Sequence, residues 1–336
     1  MFRQDRTNPS TAISNWRGRH DTPKAWPSSA VSTWLNGGLF GGGAAGGALC
    51  MGGSAVSGRT TQVDKFIFPS NVRSTLVTVL PAGTEEAGGM ANALVAAYNL
   101  GGNDGSNVST VYKILFVDES LSTLGTGLSS ARSGLSGFAN AAVAGYAAGG
   151  WATTVDKFAF PSDSRSTLGT GLPGSISSAA AFANSGTAGY YAGGYISAST
   201  NPIYKFAFSD DSRTTLSATL SSLRTALAGF ANSGTAGYAA GGRISYSFAT
   251  TVDKIAFSDD SLSTLGTGLT AGKYAASGFA NTGTAGYAAG GDLSGYVRND
   301  TVDTFAFPSD SRSLLAEGLS VAVRYAASGA NELSIP

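Results

Sequence analysis

A single cysteine, Cys50, and a single histidine, His20, stand among 336 residues. One cysteine excludes an intrachain disulfide, and one histidine excludes a multi-histidine metal site. Charge is scarce as well: 21 basic and 21 acidic residues leave no net charge, and 12% of the chain is charged, against about 25% in ordinary soluble domains. Without a positive surplus the chain is not built to neutralise phosphates, so no nucleic-acid partner is expected. No window reaches the roughly 18 apolar residues of a membrane-spanning helix. The opening MFRQDRTNPS also lacks the apolar stretch of a secretory signal. No membrane insertion, metal or cofactor is expected. What is abundant is glycine, 47 residues, about twice the usual share. With 42% hydrophobic and 10% aromatic residues, the chain still has material for a large core.

The glycines are periodic. Gly-Gly pairs fall at 52–53, 101–102, 149–150, 193–194, 241–242 and 290–291. A segment of the form V-D-K-F starts at Val63, Val111, Val155, Ile203, Val252 and Val302, and a leucine follows at Leu76, Leu124, Leu168, Leu216, Leu265 and Leu315. From the Val/Ile to the leucine is always 13 residues, and from the leucine to the next second glycine always 26. The stretch from second glycine to Val/Ile takes 10, 9, 5, 9, 10 and 11 residues. All length variation is therefore confined to one connection per repeat.

Each repeat reads as four short strands. In the third repeat these are predicted at Phe138–Ala142 (a), Ala144–Gly150 (b), Thr154–Phe160 (c) and Ser166–Leu172 (d), with β-branched and aromatic residues in the third. Pro161–Ser164 supplies a turn between c and d. So much Gly, Ser and Thr disfavours helix. Four strands in a repeat of this length are the signature of a propeller blade, and six repeats predict an all-β, six-bladed β-propeller. The chain ends on one further strand-a segment, Ala326–Asn331, with no strand b after it. It is predicted to complete blade 1 and close the ring, removing both sheet edges. The alternative inner strand for blade 1 is the Gly-rich LFGGG at 39–43. Residues 37–336 form the propeller on this reading, and residues 1–36 an N-terminal arm.

A Gly-Gly pair closing one strand, an aromatic shortly before it and a basic residue ahead of the next strand resemble kelch-type repeats. The basic residue is Arg132, Arg224, Lys273 or Arg324, and blades 2 and 4 lack it. The usual Trp of strand d is replaced by leucine. The resemblance implies the propeller fold and little about activity.

Strand c repeats a charged pair, seen as Asp64-Lys65, Asp156-Lys157 and Asp253-Lys254, and in part as Asp303; Tyr112 and Tyr204 replace the acid beside Lys113 and Lys205. Neighbouring strand residues point to opposite faces, so Asp and Lys of one blade cannot meet. A catalytic acid is not needed at four symmetric positions; these residues are expected to bridge blades, with Lys254 approaching Asp303 or Tyr204. The turn aspartate, as in Ser162-Asp163-Ser164-Arg165, is expected to satisfy backbone N–H groups of its own turn. Glu85, Glu86, Glu119, Glu317 and Glu332 are the only glutamates and are expected away from the variable loops. With no triad, no copper-radical set and no Lys-Ser/Thr after the glycines, a non-enzymatic protein is expected.

Two features point to partners. Residues 1–36 carry Arg3, Arg6, Arg17 and Arg19 with Trp16, Trp26 and Trp34, the residue types that anchor interfaces. The variable b–c loops carry Trp151, Tyr195, Tyr246, Phe248 and Tyr296, which suit a sugar ring or a protein contact. Highly self-similar Gly/Ser/Thr/Ala repeats of this style are similar to propeller-containing proteins of tailed-phage virions. The resemblance implies a structural or adhesion protein of a tail, fibre or neck, localised to the virion and docked to other virion proteins by the arm. A lectin-like propeller binding host-surface glycan and an intracellular kelch-like scaffold (cytoplasmic, soluble) are the alternatives.

Overall fold

A computed structural model describes residues 46–331. The arm residues Arg3, Arg6, Trp16, Arg17, Arg19, Trp26 and Trp34, and the LFGGG segment, lie outside the described residues. Within 46–331 the chain forms six four-stranded antiparallel sheets. Blade 3 runs Leu135–Asn140 (a), Ala144–Gly149 (b), Val155–Ala159 (c) and Ser164–Thr167 (d). Blades 2, 4, 5 and 6 repeat this order from Gly88, Ala180, Ala228 and Ser277. Blade 1 draws strand a, Ala327–Asn331, from the far end of the chain and pairs it with Gly47–Met51 in a register from Gly47↔Asn331 to Met51↔Ala327. Strands Val63–Ile67 and Val72–Thr75 complete that blade.

Two strand boundaries move from their predicted places. Strand a of blade 3 ends at Asn140, because Ala142 turns into the left-handed region (φ 60°). Strand d ends at Thr167; the Leu168 N–H is the last to bond strand c, at Val155 O, and the chain then leaves the sheet. Blade 4 alone among the described blades extends strand d, as Arg213–Arg224.

The core is divided among blade boundaries. One cluster joins Phe138, Tyr146 and Val155 of blade 3 to Tyr191, Tyr204 and Phe206 of blade 4. Three boundaries, between blades 3 and 4, 4 and 5, and 5 and 6, interlock through one phenylalanine and one glycine, and between blades 2 and 3 Met90 takes the aromatic's place against Gly145. A Cβ placed on Gly189 would lie 2.0 Å from the Phe138 ring, and one on Gly237 2.0 Å from Phe182. So the Phe of one blade fills the space that glycine leaves on strand b of the next. Where strand a of blade 1 has Gly329 instead of Phe, the facing residue is Ala97, whose Cβ lies 3.0 Å from where a Gly329 side chain would start.

Polar clasps run along the outer side of the same boundaries. Tyr146 on strand b stands opposite Lys157 on strand c, so both project from one face. Tyr146 donates to Asp211 Oδ1 (2.8 Å) and Lys157 Nζ to Asp211 Oδ2 (2.7 Å), in the c–d turn of blade 4. The same trio recurs as Tyr98/Lys113/Asp163, Tyr190/Lys205/Asp260 and Tyr238/Lys254/Asp310. These contacts correct two expectations. Lys254 meets Asp310, not Asp303 or Tyr204, because its side chain reaches outward past strand c to the next turn. Asp163 serves the neighbouring blade, because its left-handed φ of 55° turns the carboxylate away from its own turn. In blades 2, 4 and 5 the turn N–H is instead capped by another aspartate, Asp118, Asp210 or Asp259. At the blade 6–blade 1 boundary both charges are gone together: Thr304 stands opposite Tyr287, which donates to Asn71. At the next boundary Leu49 replaces the tyrosine and Lys65 reaches Glu119 at 2.7 Å.

Burial and the bonded aspartates hold the Tyr98, Tyr146, Tyr190 and Tyr238 phenols well above their ordinary range. Burial lifts Tyr287 to about 12. The folded chain thus keeps protons that the unfolded chain releases above about pH 10. Stability from these groups is complete below pH 10 and falls as pH rises through 10 towards 12. Denaturation midpoints taken from pH 8 to 12 should be flat and then drop. A midpoint unchanged between pH 9 and 11.5 would contradict this.

Candidate functional site: the loop face

Strand-c aspartates end in buried ion pairs rather than at a reactive centre. Asp156 accepts from Arg132 (2.8 Å), Ser129 and Thr167; Asp253 accepts from Arg224 (2.5 Å), Ser221 and Thr264. Asp303 meets Lys273 at 3.0 Å. All three carboxylates and Arg224 are fully buried. Arg132 and Lys273 come from the connection that leads into the same blade and tie that blade to its own entry segment, whereas Arg224 closes strand d of blade 4, so its pair with Asp253 joins blade 4 to strand c of blade 5. Burial lowers the affinity of Arg132, Arg224 and Lys273 for their protons, and the facing aspartates oppose that shift. Where strand c carries Tyr112 or Tyr204, the cation is replaced by Thr84 or Ile176. Blade 1 breaks the pattern: Val323 takes the cation's place, and Asp64 is held by the Ser320 N–H (2.7 Å) and hydroxyl (2.9 Å) and by Thr75 (2.8 Å). Arg324 stands one position later than the kelch-like register suggests and bonds Asp292 at 3.0 Å.

Beyond these pairs the connection reaches the face that carries the b–c loops. Glu86, Ser178, Ala226, Ala275 and Tyr325 adopt φ between 53° and 59°, and Gly134 70°. In this conformation each N–H and C=O lies along the circumference of the ring. Five bonds follow: Gly134 N–H to Glu86 O, Ser178 to Gly134, Ala226 to Ser178, Ala275 to Ala226 and Tyr325 to Ala275, at 2.6–2.9 Å. This belt rims a central cavity of about 230 Å³. Strand-a residues such as Gly137, Ala181 and Gly229 line it, and a Cβ on Gly229 would lie 2.4 Å from Ala181 O.

Outside the belt lie two more rings. Residues preceding the belt, Glu85, Ser133, Ser177, Thr225, Tyr274 and Arg324, form the middle one. Residues following each Gly-Gly pair, Ser54, Asn103, Trp151, Tyr195, Arg243 and Asp292, form the outer one, bridged to the middle ring at Glu85↔Asn103, Ser177↔Tyr195, Thr225↔Arg243, Tyr274↔Asp292 and Ser54↔Arg324. The blades are nearly identical along strands a to c and diverge in these three rings. Glu85 and Glu86 therefore sit on the variable-loop face, contrary to expectation, because the d–a connection shares that face with the b–c loops.

The five loop aromatics separate into two groups. Trp151 meets Tyr195 edge-on at 5.6 Å, and Phe248 meets Tyr296 edge-on at 5.2 Å. Tyr246 stands 98% exposed at a hairpin tip. The second group also contains Tyr274 and Tyr325 from the d–a connections, whose hydroxyls hydrogen-bond to each other. Neither was among the expected site residues. Among the described residues no cluster of three or more His, Cys, Asp or Glu could hold a metal.

No family model matches the chain, and no curated protein matches it in sequence. Among solved structures it is similar to that of YjhT, with a TM-score of 0.62 and 14% identity over 76% of this chain and 91% of that one. At such identity the likeness shows the fold alone: a six-bladed, kelch-like propeller.

Proposed function

We propose that the chain is a non-catalytic binding propeller, a structural or adhesion component of a tailed-phage virion, attached through residues 1–36 and contacting its target with the loop face. One observation carries the binding reading. Repeats that are nearly the same where they build blades differ at the three rings of a single face, where loops on a rigid scaffold are free to carry function. The topology adds a direction. Gly47 and Asn331, where the described chain enters and leaves the ring, are paired at the a–b turn end of blade 1, while the b–c loops lie at the opposite end. The buried acids serve as structural ion pairs, which supports a non-catalytic role. The virion setting rests on repeat style alone.

The test is a shortened chain beginning at Gly37. It should fold and remain monomeric while losing incorporation into the parent particle. Normal incorporation would move the attachment surface onto the propeller and overturn the role given to the arm.

A further inference from the structure

The loop face is uneven. In the sector of blades 5, 6 and 1 the polar and aromatic groups satisfy one another. Arg243 lies over the Tyr274 ring at 5.4 Å and donates to the Tyr296 hydroxyl at 3.5 Å. Arg298 and Arg324 share the Asp292 carboxylate at 2.6 and 3.0 Å. Tyr246 at its hairpin tip and the half-exposed Tyr296 apart, little is left over for a ligand.

The sector of blades 2 to 4 is built differently. Trp151 is 52% exposed and its contact with Tyr195 is edge-on, at an interplanar angle of 71°, which leaves a ring face uncovered. It is held at φ 61°, where a bulky residue is strained. The b–c connection of blade 3 is the shortest of the six, so this indole is presented on a tight turn. Inward from it, the Ser133 hydroxyl donates to Glu86 Oε2 at 3.0 Å. The adjacent Glu85 is paired with Arg59 at 3.2 Å, whereas among the described residues no cation pairs with Glu86. Gly134 follows Glu86 around the belt and Ser178 follows Gly134, so the belt position between Glu86 and Ser178, at the rim of the cavity, carries no side chain.

We propose that this sector is a saccharide-binding site, in which a neutral pyranose lays its C–H face on Trp151 and its hydroxyls bond to Glu86, Ser133 and Ser178. The assignment rests on the loop face being the contact surface. A pyranose offers both parts of the match, an apolar face for an aromatic ring and edge hydroxyls that donate to an unpaired carboxylate. A phosphate-bearing ligand would be repelled by Glu86. A protein partner would be expected to meet a broader apolar patch than one tryptophan with Tyr195 and the half-exposed Ile196.

An array of immobilised neutral oligosaccharides ending in glucose, galactose or mannose tests this on the full-length chain labelled with 5-fluorotryptophan. At least one glycan should bind, and titration with it should shift the single ¹⁹F resonance that Trp151→Phe removes. Trp151→Gly should keep or raise the melting temperature, since it relieves the left-handed strain, while weakening binding at least tenfold. Glu86→Gln should weaken it several-fold with the fold intact. Binding unchanged in both variants, or no glycan bound by a chain that still incorporates into its particle, overturns the site and leaves the attachment role standing. Capture of a target protein that survives complete deglycosylation likewise overturns the saccharide assignment.

Discussion

Replacing Arg224 with Met should lower the free energy of unfolding by about 3–5 kcal/mol, because it strands a buried carboxylate. Arg224 and Asp253 are both fully buried and 2.5 Å apart, and the guanidinium also donates to Gly241 O (2.8 Å) and Thr251 O (2.9 Å). After the replacement, Asp253 keeps the Ser221 N–H, the Ser221 hydroxyl and the Thr264 hydroxyl. Three neutral donors do not balance a charge removed from water. The double change Arg224→Met with Asp253→Leu should recover much of the loss, since apolar replacement of a whole buried pair is often nearly neutral. Chemical denaturation of the two variants checks this. An Arg224→Met loss below about 1 kcal/mol, the range of exposed pairs, would show that the pair is not shielded from water as its burial implies.

Removal of residues 327–336 should cost more cooperativity than any substitution. It deletes the inner strand of blade 1, leaving Gly47–Met51 as a bare edge beside the cavity. It also removes the Ser328 hydroxyl's bond to Gly278 O, which joins blade 1 to blade 6. At about 1 kcal/mol per lost backbone bond and about 2–4 °C per kcal/mol, the melting temperature should fall on the order of 10 °C or more. A shortened chain melting with the full one would mean that another segment supplies the inner strand.

Architecture and ring closure were readable because they rest on spacing. Thirteen and 26 residues recur without exception, and only a rigid repeating sheet demands that. Ion-pair partners were harder to read. The lysines of strand c were visible, but their acids sit in the next turn, and in Asp210-Asp211 or Asp259-Asp260 nothing local distinguishes the residue that caps from the one that crosses. The middle and inner rings of the loop face were missed for a different reason. They lie in a connection of constant length, so length variation did not mark them. Their signal was there in the columns nine and ten residues after each landmark leucine: Glu85, Ser133, Ser177, Thr225, Tyr274 and Arg324, then Glu86, Gly134, Ser178, Ala226, Ala275 and Tyr325.

The Phe–Gly interlock gives the blades a direction. Blade 5 presents Phe230 to Gly286 of blade 6 and receives Phe182 of blade 4 at its own Gly237. A second copy of it placed in tandem would meet the first as plug meets socket, without a new contact having to be invented. Blade 1, with Gly329 facing Ala97, lacks that interchangeability, because its plug position is empty and the socket ahead of it is filled. Growth of such a ring by duplication is therefore open among blades 3 to 5 and blocked where the two ends of the chain meet.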